Sequence, residues 1–159
     1  IDAAIAQSDM SGFSGTWRRF EFCGKTENCA LVYDDYGHHP TEILATLAGA
    51  RELFPKQKIV VVFQPHLYSR TKDHLTAFGK CFKDADEVII LPIYPAREKD
   101  PGDINSEMIV TEIKKKGQPA FFASNFADAV TRAKSLSKSG DLIITLGARE
   151  TNKVAALLV

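Results

Sequence analysis

The side chains able to do chemistry are gathered into four short stretches. Asp34-Asp35-Tyr36-Gly37-His38-His39-Pro40 and Gln64-Pro65-His66-Leu67-Tyr68-Ser69-Arg70-Thr71 come first, followed by Tyr94-Pro95-Ala96-Arg97-Glu98 and Gly147-Ala148-Arg149-Glu150. Arg70 can hold a carboxylate or phosphate through two parallel hydrogen bonds, and helices opening near Thr41 and Thr71 would add free N–H groups that attract anions. An anionic ligand is the natural inference. Gly37 is expected to supply a backbone geometry that other residues resist, so that Tyr36 and His38 point into one crevice. Taken singly, His38 or His66 is more often a hydrogen-bonded turn residue, and Tyr36 can merely cover the core. Their clustering favours a site. His74 falls inside a helix and reads as a surface residue. Asp34 and Asp35 point to opposite faces if their strand persists, and Asp35, nearer its end, is the one expected to reach the crevice.

Two other chemistries compete for these residues. Asp34, Asp35, His38, His39 and His66 offer ligands for a catalytic metal, and D-x-x-H-H loosely resembles metal-dependent phosphoesterases. Such a site needs further acidic or imidazole ligands at later strand ends, where Tyr94, Arg97 and Arg149 stand instead, so no protein-bound metal is expected. A generic nucleotide- or dinucleotide-binding module shares the fold class, but no G-x-G-x-x-G follows a strand and no G-x-x-x-x-G-K-[ST] loop is present. A serine nucleophile elbow is also lacking. An autonomous enzyme is not expected.

The elements that must position these stretches follow from periodicity. Alternation near Phe20 to Cys23 and Ala30 to Asp34, around a turn at Gly24 to Asn28, predicts a hairpin. After Pro40, apolar residues at Ile43, Leu44, Leu47, Ala50 and Phe54 mark a helix. Unalternated runs at Ile59 to Phe63, Val88 to Leu91 and Leu142 to Leu146 read as strands covered on both faces, with a shorter strand at Ala120 to Ala123. Between them come helices marked by Leu75, Phe78 and Phe82, and by Ile109 and Ile113. Another is capped by Asn125, and a last one runs to Leu158. The Lys114-Lys115-Lys116-Gly117 run suits a helix C-terminus and a left-handed cap. The expected fold is α/β and Rossmann-like: three layers, an open, mostly parallel sheet with helices on both faces, and an N-terminal hairpin. Ligands of such sheets bind beyond the carboxyl ends of the strands, and all four polar stretches fall there.

Composition sets the outer bounds. A chain of 159 residues with 45% hydrophobic and 25% charged residues fits one soluble domain. Twenty basic and twenty acidic side chains cancel, which argues against nucleic acid or an anionic membrane as partner. No apolar run approaches the ~20 residues that span a bilayer. Residues 1 to 18 are small, polar and Gly/Ser-dotted apart from a weakly amphipathic Ala3 to Ala6, and read as a linker. The absent initiator Met suggests a chain cut from a longer one, and the lack of a signal sequence suggests the cytoplasm. Cys23, Cys29 and Cys81 form no C-x-x-C pair and read as buried or half-buried thiols, although Cys23 and Cys29 could face each other across the hairpin.

Two of the polar stretches are specific. D-D-Y-G-H-H-P-T-E from Asp34 to Glu42 and F-Q-P-H-L-Y-S-R-T from Phe63 to Thr71 strongly resemble the Mur ligase family, in its alanine-adding form. Arg18-Arg19-Phe20, Tyr94-Pro95-Ala96-Arg97-Glu98 and Gly-Asp-Leu-Ile-Ile-Thr-Leu-Gly-Ala agree, so the resemblance covers residues 12 to 159. It implies a cytoplasmic three-domain ligase of peptidoglycan precursor synthesis. Its first domain would bind the UDP-sugar, its central P-loop ATPase would hold ATP and Mg2+, and its third domain would close over both. Residues 1 to 18 would then lead in from the central domain, and residues 19 to 159 would be the C-terminal, amino-acid-binding domain, inactive alone. Partners would be L-alanine, ATP, UDP-N-acetylmuramate and the enzyme's own N-terminal and central domains. ATP would phosphorylate the muramate carboxylate, and the alanine amine would attack the acyl phosphate. The resemblance places Tyr36, His38, His66 and Arg70 around alanine and the reacting phosphate, with His38, His66 and Arg70 catalytic, and has Asp35 and Arg19 reach the ATP nucleoside. The sequence departs from the family at Leu67, where many members carry arginine. It departs again at Gly147-Ala148-Arg149-Glu150, which replaces Gly-Ala-Gly-Asp.

Overall fold

The computed structural model describes residues 16–159; most of the expected linker, including Ala3 to Ala6, lies outside the described residues. The hairpin forms as predicted, with β1 (Glu21–Lys25) antiparallel to β2 (Leu31–Asp35) and a register shift between Phe22 and Gly24. Tyr33 anchors it from the β2 side. Its ring stacks on Phe20 at 4.6 Å and meets Phe22 at 5.3 Å and Phe54 at 5.8 Å, so the hairpin is held by aromatic packing as well as by its ladder.

The remaining strands are β3 (Ile59–Phe63), β4 (Glu87–Ile90), β5 (Ala120–Phe122) and β6 (Leu142–Leu146). All pair in parallel, in the order β1-β2-β6-β3-β4-β5. Strands β3 and β6 are buried at every position, which is why their sequences show no alternation. Alternation persists in which face each residue joins. Ile59, Val61 and Phe63 enter one core cluster, while Val60 and Val62 enter the other.

The first cluster is covered by α1 (Pro40–Leu53), α3 (Leu75–Cys81) and α4 (Ser106–Lys114), and the second by α5 (Phe126–Leu136) and α6 (Thr151–Leu158). Each fully buried aliphatic side chain contributes about 1.5–3 kcal/mol to this sandwich. Ile43, Leu47 and Ala50 carry the buried face of α1, whereas Leu44, expected on that face, is 36% exposed. Asn105 and Asn125 cap α4 and α5 by accepting from Met108 N and Asp128 N, and Gly117 at φ +78 follows the end of α4.

One helix departs from expectation. Instead of a single helix opening near Thr71 and containing His74, there are two: α2 (Tyr68–Asp73) and α3, with His74 between them at φ −110, ψ 14. The break turns Phe78 and Phe82 onto Phe63, at 5.4 and 5.5 Å, while His74 packs edge-on against His39 at 4.7 Å. The three thiols are free, and Cys23 and Cys29 are exposed rather than half-buried. No described helix is long and apolar enough to cross a membrane.

Candidate functional site

The carboxyl ends of β2, β6, β3 and β4 open on one rim, and the four polar stretches leave from it. At the end of β2 the two aspartates point opposite ways, as alternation requires. Asp34 accepts from Arg18 Nε at 2.6 Å and from the Thr145 hydroxyl. Asp35, 7% exposed, accepts from Phe20 N at 2.9 Å, Gly37 N at 2.7 Å and Thr46 Oγ1 at 3.3 Å. Its carboxylate therefore organises the turn leading to His38 instead of facing the open crevice. Gly37 is needed there for close approach, not for an unusual φ: a Cβ at this position would lie 2.8 Å from Asp35 Oδ1.

His39 caps α1 in an unusual way. Its Nδ1 accepts from Thr41 N at 3.3 Å, and Glu42 Oε2 accepts from the backbone N–H of both His38 and His39 at 2.9 Å, completing a capping box. Burial alone would raise the Glu42 carboxyl, but those two N–H donors and the neighbouring imidazoles hold it below its ordinary value. Glu42 was not singled out in the sequence, although an acidic residue three positions past a polar cap is a recognisable signal.

The β3 and β4 loops are sewn together beyond the strands. Leu67 N donates to Tyr94 O at 2.9 Å and Tyr94 N to Pro65 O at 2.8 Å, extending the parallel pairing as a bridge between His66 and Tyr94. The two rings stack at 5.7 Å with 9° between their planes. Leu67 takes φ +73, ψ 134, a conformation costly for any residue with a side chain. Its carbonyl then accepts from Thr71 N at 3.1 Å and Thr71 Oγ1 at 2.8 Å, so α2 begins at once and carries Arg70 in its first turn. Glu98 braces this turn, accepting from Ser69 N at 3.0 Å and from the Ser69 hydroxyl.

Tyr36, His38 and His66 form a continuous edge-to-face series, at 5.5 Å for the first pair and 6.0 Å for the second. Burial pushes the His66 imidazole below its ordinary pKa, and the positive charges of Arg70, His38 and Arg149 push it further. Both His66 ring nitrogens, Arg70 Nη1 and Gln64 Oε1 are shielded from solvent and have no hydrogen-bond partner. Buried polar atoms are normally paired, so this group lacks a partner that a ligand can supply. The structure thus brings Tyr36, His38, His66 and Arg70 together. Arg19 is exposed in the entry turn, with its N–H donated to Thr16 O at 3.0 Å, next to Arg18, whose carbonyl accepts from Tyr36 N at 2.8 Å. Among the described residues, no group of three or more His, Cys, Asp or Glu side chains is placed to hold a metal ion.

Arg18, adjacent to the residue expected to reach a nucleoside, has a structural part that the sequence did not disclose. Its guanidinium also donates to Gly147 O at 2.6 Å, Arg149 O at 2.9 Å and Thr151 Oγ1 at 2.9 Å, fastening the entry turn to the turn after β6. Gly147 tolerates this packing because it has no Cβ. It sits at φ +152, where a Cβ would meet Thr151 at 2.9 Å.

The family model described as "Mur ligase, glutamate ligase domain" matches residues 18–149. The chain belongs to the Mur ligase family. Among curated relatives of this Mur ligase domain, the UDP-N-acetylmuramate–L-alanine ligase of Acetivibrio thermocellus is 46% identical over 151 residues, covering 94% of this chain and 32% of that protein. The enzyme of the same name from Clostridium perfringens is 42% identical over 159 residues, covering 100% and 34%. Among solved structures, the UDP-N-acetylmuramate-alanine ligase of Thermotoga maritima superposes with a TM-score of 0.79 at 28% identity, covering 99% of this chain and 33% of that one. A murein peptide ligase from Psychrobacter arcticus shares the fold, with a TM-score of 0.73 at 24% identity over 96% of this chain and 31% of that one. The Mur ligase domain described here spans about a third of the length of the curated relatives it matches.

Proposed function

We propose that this chain is the amino-acid-binding domain of a cytoplasmic, ATP-dependent ligase that joins L-alanine to UDP-N-acetylmuramate in peptidoglycan precursor synthesis. The observation that carries the reading is the unpartnered polar group at His66 and Arg70, next to His38 and Tyr36. Such a set fits an oxyanion. Arg70 grips the alanine carboxylate or the reacting phosphate through its fork of donors. His66, held neutral by its surroundings, keeps one ring nitrogen as donor and one as acceptor. His38 completes the wall, and Tyr36, 42% exposed, offers an aromatic surface to the incoming ligand.

ATP, when bound, supplies the phosphoryl group that activates the muramate carboxylate. Arg19 contributes to the nucleoside side from the exposed entry turn, with Asp35 behind it fixing Phe20 and Gly37. Asp34 and Asp35, at the end of β2, are already engaged within the protein, so Mg2+ falls mainly to the central domain, which would also hold the ATP phosphates. Alignment of reactants by fixed cations, without reorganisation during the reaction, is what this half-site adds.

The test compares variants of the full-length enzyme. Arg70→Ala should lower turnover or alanine affinity by about tenfold or more, the effect of losing a charged hydrogen bond, while Lys115→Ala, on the far end of α4, should leave both unchanged. Equal effects would remove Arg70 from the site. The 159-residue chain alone should neither hydrolyse ATP nor form the alanyl product; turnover by a clean preparation would refute the proposed division of labour.

A further inference from the structure

Arg149 lies outside the residues assigned to the site above, yet the turn after β6 brings it to the same rim. Its guanidinium carbon stands 5.9 Å from the centre of the Tyr94 ring, within the range of a cation–π contact. Tyr94 also stacks nearly parallel on His66. The backbone of Arg149 is fixed independently, because its carbonyl accepts from the buried Arg18 guanidinium. Its head is left available: among the described residues no carboxylate pairs with it, and the adjacent Glu150 is taken by Lys153. On the His66 loop itself the neighbouring side chain, Leu67, is aliphatic, so the second fixed cation of this rim arrives from the β6–α6 turn.

We propose that Arg149 is a ligand-binding residue of this site, gripping an oxyanion jointly with Arg70 across the face of His66 and Tyr94. The inference rests on the functional reading above and deepens it. Tyr94 holds the Arg149 head over the crevice, and His66 gives the anion a neutral hydrogen-bonding surface between two cations. Two guanidinium groups from separate loops bring two positive charges to one carboxylate or phosphoryl group from different directions, which a single fork cannot do.

The experiment uses the 159-residue chain, isotope-labelled, with the His66 ring followed by NMR during titration with inorganic phosphate or L-alanine at constant ionic strength. The expected results are a saturable His66 shift in the unchanged chain, about tenfold weaker binding in Arg149→Ala and partial recovery in Arg149→Lys. Without ligand, the His66 pKa should rise in Arg149→Ala, a change that a merely structural role would not produce. Which of the two probes depends more on Arg149 tells a phosphoryl partner from a carboxylate one. Binding unchanged in Arg149→Ala but lost in Arg70→Ala overturns the role of Arg149 and leaves the broader reading standing. Binding indifferent to both arginines overturns both. No response of the unchanged chain to either probe also overturns the inference, while the turnover comparison of Arg70 still decides the broader reading.

Discussion

Arg18 Nε donates to Asp34 Oδ2 at 2.6 Å, with the two side chains only 3% and 2% exposed. The pair lies where the hairpin, the central strand and the last turn meet, and both charges have left water to form it. Removing one partner strands the other in a poorly solvated place. Arg18→Met should therefore destabilise the domain by about 3–5 kcal/mol, and adding Asp34→Leu should restore much of that loss. Urea unfolding of the two variants checks this; a loss below about 1 kcal/mol in the single variant would show that the pair is not desolvated as described.

Two glycines should respond in opposite directions. Gly37→Ala drives a Cβ to 2.8 Å from Asp35 Oδ1, whereas Gly49, in the middle of α1, has nothing within 4 Å of the added atom. Gly49→Ala is expected to stabilise by about 0.5–1 kcal/mol through helix preference, and Gly37→Ala to destabilise by about 1–3 kcal/mol. Thermal melts that moved the same way would contradict the close approach at Gly37.

At Leu67 the usual order of alanine above glycine should reverse. With φ at +73, any Cβ is strained, so Leu67→Gly should exceed Leu67→Ala in stability by about 1 kcal/mol. An alanine variant as stable as the glycine one would mean that this backbone relaxes without cost.

His66 should make the domain acid-sensitive above the carboxylate range. Its folded pKa lies below the ordinary 6.5, first through burial and then through Arg70, His38 and Arg149. Between that depressed value and 6.5 the unfolded chain binds a proton that the folded chain does not. The corresponding stability is present above 6.5, is lost as pH falls through this window, and levels off below it. Urea midpoints at pH 7.5 and 5.5 should differ more for the unchanged chain than for His66→Gln, and NMR titration should place His66 below 6.5. A value at or above 6.5 counts against the cationic rim.

The succession of strands and helices in a doubly covered sheet was readable because β3, β4 and β6 are apolar runs too short for helices, separated by helical periodicity, a first-turn Pro40 and a cap at Asn125, whereas the spatial order of the strands was not. The shared rim was readable for the same reason, since polar stretches at strand ends converge in such folds. What was not readable depends on single dihedrals and long-range partners. Nothing in Tyr68 to Cys81 marks His74 as a break, because one residue leaving the helical region has no compositional signal. Arg18, Phe20, Cys29, Leu67 and Ala96 all take positive φ against their residue preference, imposed by tertiary packing. Arg18 was hidden further by its position next to linker-like sequence, and Asp35 by the ambiguity between an acid facing a ligand and one facing its own loop.

Strand β6, flanked by β2 and β3, is the last strand in the chain. During synthesis, the groove between those neighbours must therefore wait, its hydrogen-bonding edges open, until β6 itself emerges. A nascent chain stalled before Leu142 exposes apolar strand edges suited to capture by chaperones or by other chains, so quality control of this domain turns on the arrival of its central strand.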